Sequence, residues 1–223
     1  MRILRSIWFL VLGGMPLFLG SCTSGPLTSH PLTLGWERLV ADDLSDCTYS
    51  TGSWTMEDGV LTRQGGGSIW TKTTAQDFIL DLKFKVGPKT NSGIFFRTAD
   101  IADPVQTGIE MQVYDSFGRE TPSKYDCGAV YDCQEPSINA MKKAGEWNRV
   151  TIKAVESRIQ IVMNGQQIID MDLNRWTESH KNPDGTKNKF NKAYQSMTHV
   201  GHFGFQDHGN PVWYRNIRIK RLR

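Results

Sequence analysis

Residues 108–115 carry the strictest alternation of apolar and polar side chains in the chain. Because successive side chains of a β-strand point to opposite faces, the pattern predicts a strand with one face in the core. The predicted core residues are Ile109, Met111 and Val113. The other face carries Glu110, Gln112 and Tyr114, about 7 Å apart, and Asp115 ends the strand with a second carboxylate. This row suits the floor of a sugar-binding site, whereas the structural alternative is an amphipathic strand with a solvated face.

Short alternating segments separated by turn-forming residues fill the rest of the chain, and none has the apolar period of a long helix. The dipeptides at 58–59 and 164–165, Asp-Gly and Asn-Gly, are typical of two-residue hairpin turns. We predict a single-domain, all-β, two-sheet jelly-roll β-sandwich with no helix longer than about two turns over 60–221. The predicted strands are 36–40, 53–56, 60–63, 68–71, 78–86, 93–98, 108–114, 128–132, 148–155, 158–163, 166–170, 201–205 and 213–221.

The N-terminus has the composition of a bacterial export signal. A short basic start precedes an apolar run of about 14 residues, and a bilayer-spanning helix needs about 20. Leu19-Gly-Ser-Cys22 looks like a lipobox, so we predict a signal peptide over 1–21 and lipidation of Cys22, with plain secretion as the alternative. Residues 22–33 would form a flexible tether. The domain at 34–223 would then be anchored in the cell envelope, at the outer membrane or facing the periplasm.

Charge and cysteine content exclude several classes of function. The formal net charge is +3, part of it in the basic signal, and no basic stripe is interleaved with aromatics, so a nucleic-acid partner is not expected. The cysteines after Cys22 are Cys47, Cys127 and Cys133, which in an exported domain allow one disulfide and one thiol. If the segment between Cys127 and Cys133 is an extended strand, these two lie about 20 Å apart and cannot pair.

Polar residues of three predicted strands are candidates for one catalytic site. Glu110, buried under a sugar beside Gln112, would have a raised pKa and would serve as a general base near neutral pH. Arg97 offers a planar fork that could bind a carbonyl or carboxylate oxygen, or it could form a surface salt bridge. Gln206 and His208 share one face, and a histidine moves protons readily near neutral pH. The structural alternative for His208 is a side chain that caps a turn.

Further residues extend this candidate site. Tyr131 could stack on a pyranose ring or donate a hydrogen bond through its phenol, and Asp115 could bind substrate. Glu110, Asp115 and Asp207 could together bind a divalent metal ion if their side chains converge. The polar stretch 177–196 predicts a long loop, which would be either part of the rim of the site or a tolerated surface insertion.

Several segments in a fixed order resemble the 3-keto-disaccharide hydrolase family. The resemblance covers residues 35–222 and is strongest in the Gln-Asp-His-Gly turn and the Arg-Asn-Ile strand near the C-terminus. The segments are 92–97, 108–115, 145–148, 201–209 and 213–219. The resemblance implies a concanavalin A-like β-sandwich that acts on sugars oxidised at C3.

We therefore expect an exported lipoprotein that cleaves the glycosidic bond of 3-keto-glycosides or 3-keto-disaccharides. Cleavage could be hydrolysis by two carboxylates, or elimination across C1 and C2 followed by hydration, in which Glu110 or His208 is the base and Arg97 or a metal stabilises the enolate. Since the chain lacks a dinucleotide-binding glycine motif, a separate oxidoreductase would supply the ketone. The alternative is a non-catalytic carbohydrate-binding lipoprotein of the cell envelope.

Overall fold

The computed structural model describes residues 25–222 as two packed antiparallel sheets with little helix. The strands are β1 (Glu37–Arg38), β2 (Cys47–Thr48), β3 (Trp54–Glu57), β4 (Val60–Arg63), β5 (Ile69–Ala75), β6 (Phe78–Val86), β7 (Asn91–Thr98), β8 (Ile109–Tyr114), β9 (Asn148–Val155), β10 (Arg158–Met163), β11 (Gln166–Asp172), β12 (Gly201–Phe205) and β13 (Val212–Arg221). The described helices are one turn of α-helix, α1 (Pro104–Thr107), and 3₁₀ turns at Leu173–Arg175 and Tyr194–Ser196. The predicted all-β jelly roll and the absence of long helices over 60–221 are confirmed.

The strands divide into a large sheet and a small sheet. The large sheet has eight strands in the order β11-β10-β9-β6-β13-β4-β3, and β1 pairs with β13. The small sheet has the order β2-β5-β12-β7-β8. Neighbours that are far apart in sequence, such as β6 and β13, fix the closed sandwich through long-range pairs.

The core between the sheets follows the predicted alternation. In β6 every second residue is fully buried, as at Leu80, Leu82 and Phe84. Across the core, β8 contributes Ile109, Met111 and Val113 from the small sheet. Each buried aliphatic or aromatic side chain contributes about 1.5–3 kcal/mol through the area it removes from water. The same alternation leaves the even-numbered residues of β8 on the outer face of the small sheet.

Sequence patterns located most strands within one or two residues, with two exceptions. The predicted strand at 128–132 is wrong, because the backbone is left-handed at Gly128 and at Asp132 and cannot stay extended. Between these two residues, Val130 forms isolated β-bridges with Met111 and Gln134. These bridges and the bond from Tyr131 N to Glu110 O still dock the segment on β8. The short strand β2 was not predicted. Both predicted hairpin turns are present, with positive φ at Asn164 and at Asp58.

Residues 25–31 pack on the outer face of the large sheet, so the predicted flexible tether is wrong for this part of the chain. Leu27 is 7% exposed, and its backbone N–H donates to Gln160. His30 bonds Thr151 through Nδ1 and accepts the N–H of Gly165 through Nε2. The polar outer positions of β9 and β10 supply these partners. The predicted signal peptide and Cys22 lie outside the described residues.

The three cysteines of the described chain are free and buried. The disulfide that the composition allowed is therefore not formed. Burial raises the pKa of Cys47, Cys127 and Cys133 to about 12, so the reactive thiolate form is strongly disfavoured. None of the helices within residues 25–222 is long and apolar enough to cross a bilayer.

Candidate functional site

The outer face of the small sheet, called here the site face, carries the candidate residues in cross-strand rows. In one row Trp70 on β5, Gly204 on β12, Phe95 on β7 and Glu110 on β8 are successive antiparallel partners. Directly opposed residues of antiparallel strands point to the same face, so these side chains share the site face. In the next row Gly93 on β7 is paired with Gln112 on β8, and Gln206 N donates to Gly93 O.

Glu110 is the buried acid of the site face. It is 7% exposed, and its side chain lies over Gly93, where a side chain would collide with it. Burial disfavours the ionised carboxylate and raises the pKa of Glu110 to about 7, against the opposing pull of the positive charge of Lys189. A carboxyl group with this pKa is present in both protonation states near neutral pH, as a general base requires. The predicted location and pKa direction of Glu110 agree with the structure.

A rim beside Glu110 is built from residues 124–134 and the long loop. Tyr131 N donates to Glu110 O, which places Tyr131 next to the acid, and burial together with the charge of Glu110 raises the pKa of its phenol. Lys189 lies over this ring, with Nζ 4.2 Å from the centroid. The loop is held by Asp132, whose carboxylate accepts the N–H of Lys189. The expected position of the 177–196 loop at the rim therefore has a structural basis in these contacts.

Two amide side chains complete the floor of the site face. Gln112 is 3% exposed and donates through Nε2 to Asn91 and to the carbonyl of Tyr125 at 3.3 Å. The Oε1 atoms of Gln112 and Gln206 are buried and have no hydrogen-bond partner within the described chain. Leaving a buried polar atom unpaired costs about 1–3 kcal/mol. Such atoms are suited to accept hydrogen bonds from a ligand that carries several hydroxyl groups.

Trp70 and Phe95 form an aromatic platform that sequence reasoning missed. Their ring centroids are 5.5 Å apart and the planes are inclined by 52°. The ring of Trp70 occupies the space over Gly204, where a β-carbon would overlap it. Neither residue belongs to the core cluster between the sheets, although both are buried. The signal that could have found the platform is Gly204 between the two core residues Phe203 and Phe205.

His208 lies at the end of the site face, in the turn after β12. Its side chain is exposed and forms no hydrogen bond with residues 25–222. The backbone of Gln206, two residues earlier, is held in place because its N–H donates to Gly93 O and its carbonyl accepts the hydroxyl of Ser92, which faces the core. His208 and Glu110 thus belong to the same sheet, but the structure gives no contact between them. The role of His208 in catalysis stays a prediction.

Arg97 is not on the site face, and its predicted role in substrate binding is wrong. Its backbone has φ of 53°, which breaks the alternation of β7 and turns the side chain into the interior. The guanidinium is fully buried and donates to the carbonyls of Gln76 and Glu156 and, at 3.2 Å, to Asp77. Arg97 therefore joins the start of β6 to the β9–β10 turn and serves the fold.

The two aspartates proposed as metal ligands have other partners. Asp115 accepts the N–H of Lys89 at 2.8 Å and so caps the β6–β7 turn. Asp207 forms an ion pair with Arg63 and accepts backbone N–H groups, which hold its pKa at about 2 although burial opposes the shift. Within residues 25–222 no group of three acidic, histidine or cysteine side chains is arranged to hold a metal ion. The condition for a shared metal ion, convergence of these two acids with Glu110, is therefore not met in the described part of the chain.

The site face thus combines a proton acceptor, a cation, a phenol and two amides around an aromatic platform. The half-buried ring of Tyr131 can pack against the apolar face of a sugar ring, with the buried rings of Trp70 and Phe95 as its support on the sheet, and the amides can bind hydroxyl groups. Glu110 can exchange a proton near neutral pH, and Lys189 can stabilise negative charge that develops beside it. This arrangement can bind a carbohydrate and abstract a proton from it.

Comparison with known proteins connects this geometry to a family. A 3-keto-disaccharide hydrolase of Bacteroides thetaiotaomicron is 26% identical over 205 residues, which cover 76% of this chain and 70% of that protein. A candidate glycosyl hydrolase of Parabacteroides distasonis with a crystal structure is 34% identical, has a TM-score of 0.79, and is matched over 98% of its length and 83% of this chain.

A carbohydrate-binding module of Bacillus subtilis, CBM66, shares the fold alone, with 13% identity and a TM-score of 0.53 over 81% of this chain and 99% of the module. The family match itself covers residues 35–220, which include both sheets except the last residue of β13. The chain is therefore a glycoside hydrolase-like enzyme rather than a binding module alone. It belongs to the family of the 3-keto-alpha-glucoside-1,2-lyase-like domain.

Proposed function

We propose that the protein cleaves the glycosidic bond of 3-keto-glycosides by removing the proton on C2, with Glu110 as the base. The observation that carries the proposal is the burial of Glu110 on the site face, which raises its pKa to about 7. A ketone at C3 acidifies the C2 proton, so a carboxylate of this basicity is sufficient. The family and the 3-keto-disaccharide hydrolase relative support a substrate of this class.

The reaction has two stages. Glu110 takes the C2 proton, and the electron pair of the C–H bond forms an enolate with the C3 oxygen. The enolate expels the C1 oxygen substituent, which leaves as an alcohol after protonation, and an unsaturated keto sugar remains. Water then adds to C1 while a proton returns to C2, so the net change is hydrolysis to a 3-keto sugar and an alcohol.

Lys189 takes the role that sequence reasoning gave to Arg97. Its charge acts on Glu110 and its ammonium lies against the ring of Tyr131, whereas the guanidinium of Arg97 is enclosed in the interior. A cation at this point stabilises the enolate in a site of low dielectric constant. Tyr131, whose raised pKa keeps the phenol protonated, is suited to donate the proton to the leaving oxygen.

The elimination route accounts for two different descriptions of related proteins. The family is described as lyase-like, and the Bacteroides relative is described as a hydrolase. Elimination followed by hydration consists of a lyase step within a net hydrolysis. Hydrolysis by two carboxylates has less support, because Asp115 and Asp207 are engaged elsewhere, and Asp132 at the rim is bound to Lys189 N, Tyr125 and Lys124.

The location of the enzyme is part of the same proposal. The signal-like N-terminus and the Cys22 motif support export and lipid anchoring in the cell envelope. A separate sugar 3-oxidoreductase would supply the ketone. Replacing Cys22 by Ala should release the protein from the membrane fraction or block its maturation, and a normally processed variant that stays on the membrane would refute the anchor.

The test of the chemistry uses Glu110→Gln, which keeps the shape of the side chain and removes the base. Turnover of a 3-keto-glycoside should fall by about a hundredfold or more, the loss typical of a general base. In the parent enzyme, deuterium from solvent should enter C2 of recovered substrate, and in the variant it should not. The control is Glu178→Gln, an exposed glutamate that pairs with Lys181 on the loop. Unchanged turnover in Glu110→Gln would remove Glu110 from the mechanism.

A further inference from the structure

Three central strands of the large sheet carry a basic outer surface, on the side opposite the site face. Asp81 is the one acidic residue at the outward positions of β6, β9 and β13, and it forms an ion pair with Arg149. The basic residues there, called here the cationic face, are Lys83, Lys85, Arg149, Lys153, Arg215, Arg218 and Lys220. Lys153 among them is buried, and the flanking strands β3 and β11 add Glu57 and Asp170 in the same cross-strand rows. An excess of positive charge remains at the centre of the sheet, and it attracts anions.

Two tryptophans lie among these cations. Lys85 Nζ is 4.6 Å from the ring centroid of Trp213 and 5.2 Å from that of Trp147. The guanidinium carbon of Arg215 is 4.0 Å from the centroid of Trp147. Both rings are half-buried, so their edges remain open to solvent. Tryptophan beside lysine and arginine is the combination enriched where proteins meet the headgroup region of a bilayer.

Two leucines project beside the cationic face. Leu32 is 92% exposed and Leu34 is 97% exposed, whereas the other exposed large apolar residues of the described chain reach at most 50%. Both line a cleft together with Lys83 and Arg218. A single exposed leucine needs no explanation, but two on one short segment that lies beside Lys83 and Arg218 form an amphipathic surface.

The chain enters the described structure on this same side. Lys153 Nζ donates to the carbonyl of Gly25 at 2.6 Å, so the first described residue is held on the cationic face. Cys22 precedes Gly25 by three residues, which can span at most about 11 Å. If Cys22 carries lipid, no other broad face of the sandwich can lie as close to the bilayer.

We propose that the cationic face binds an anionic phospholipid bilayer, with Leu32 and Leu34 inserted at the headgroup boundary. The lysines and arginines attract the lipid phosphates, and Trp147 and Trp213 lie in the interfacial layer. The site face, on the opposite sheet, then points away from the membrane toward soluble glycosides. This orientation goes beyond the proposed reaction and does not depend on it.

The test measures contact with lipid at two labelled positions in the full chain, purified after export from the expressing cells. Two variants, Leu34→Cys and Ile138→Cys, each introduce one accessible thiol. Ile138 is 44% exposed and lies near β11. The thiols of Cys47, Cys127 and Cys133 are buried, and the proposed lipid would block the thiol of Cys22. A maleimide fluorophore therefore labels the new cysteine selectively, and the parent protein measures any labelling of Cys22. The protein is mixed with vesicles of phosphatidylglycerol and phosphatidylcholine that contain a nitroxide lipid, and fluorescence quenching is recorded.

Quenching at position 34 should exceed that at position 138 by about threefold on anionic vesicles and should weaken as salt screens the attraction. The double variant Lys83→Glu with Arg218→Glu should reduce quenching at position 34 by about half or more. The matched control is the double variant Lys187→Glu with Lys192→Glu, which makes the same charge change on the loop at the rim of the site face. It should leave quenching at position 34 unchanged.

Equal quenching at both positions, or none at position 34, would overturn the proposal. Binding of heparin, a soluble polyanion, is measured in parallel. If the parent binds heparin, the variant Lys83→Glu with Arg218→Glu does not, and no quenching occurs at position 34, the proposal is overturned and the face binds an acidic glycan instead. Cleavage of a 3-keto-glycoside is measured on the same preparations. Failure of the proposed reaction with strong quenching, or the reverse, therefore separates the two proposals.

Discussion

The carboxyl group of Glu110 lies across the α-carbon of Gly93 on the neighbouring strand. A β-carbon added at Gly93 would lie 2.8 Å from Glu110 Cδ and 2.9 Å from Cγ, closer than such atoms approach in proteins. The glycine therefore provides the space that the acid occupies and sets where its oxygens point. The location of a catalytic group must be accurate to about this distance, because a displacement of about 1 Å can lower the rate by about a hundredfold.

Gly93→Ala should lower turnover while leaving the sandwich folded. The added methyl group displaces the Glu110 side chain, so we expect kcat to fall by about tenfold or more and KM to change less. The control is Gly87→Ala, where the nearest atom to the new methyl is 3.4 Å away and turnover should be unchanged. Equal kinetics in the two variants would show that Gly93 does not position the base.

The activity should rise with pH through about 7. The ionised form of Glu110 is the base, and its pKa in the ligand-free protein is about 7, so kcat/KM increases as this carboxyl loses its proton. Lys189 lowers the pKa of Glu110, and removing its charge in Lys189→Met should move the inflection to higher pH and lower the maximal rate. Lys189→Arg should retain most of the profile. A pH profile of kcat/KM for the parent enzyme and the two Lys189 variants checks this.

Glu110→Gln should stabilise the fold at alkaline pH. The pKa of Glu110 is about 7 in the folded state and near the ordinary 4.5 when unfolded, so ionisation opposes folding increasingly above pH 4.5 and fully above 7. The gain in unfolding free energy of the variant over the parent should therefore grow by about 2 kcal/mol from pH 5 to pH 8. Urea unfolding at both pH values measures it, and a constant difference would contradict the burial of a titrating acid.

Arg97→Met should destabilise the protein without altering its chemistry. The guanidinium donates to two carbonyls and to Asp77 in the interior, and breaking a buried ion pair costs about 3–5 kcal/mol. We expect urea unfolding at a lower midpoint, with kcat within about twofold of the parent below the transition. Arg175→Met, at an exposed position, is the control. A large loss of turnover in a well-folded Arg97 variant would return Arg97 to the site.

Alternation of side chains was sufficient to predict most of the sandwich. Strand β6 has one wholly apolar face, and Val150, Ile152 and Ala154 of β9 extend it, so the register that buries these residues is favoured. The same rule placed Glu110 and Gln112 together on the outer face of β8. The rule failed at Arg97, because one residue with positive φ reverses the parity of β7 and no local pattern announces it.

The remaining parts of the candidate site depend on contacts between distant segments. Trp70 is buried by stacking over Gly204 and beside Phe95, which are known only once the strand order is known. Lys189 reaches Glu110 because Asp132 holds its backbone across 57 residues of sequence. Neither long-range pairing leaves a periodic trace in the chain, so both required the structure.

The interleaving of core and site positions on β8 has a consequence for the tolerance of this strand to mutation. Met111 and Val113 face the core, while Glu110 and Gln112 face the site. In a saturation scan of residues 109–114, phenotypes should therefore alternate with a period of two. Odd-numbered positions would lose abundance in the cell, and even-numbered positions would lose turnover at normal abundance, so protein level and activity measured together would separate folding from catalysis within a single strand.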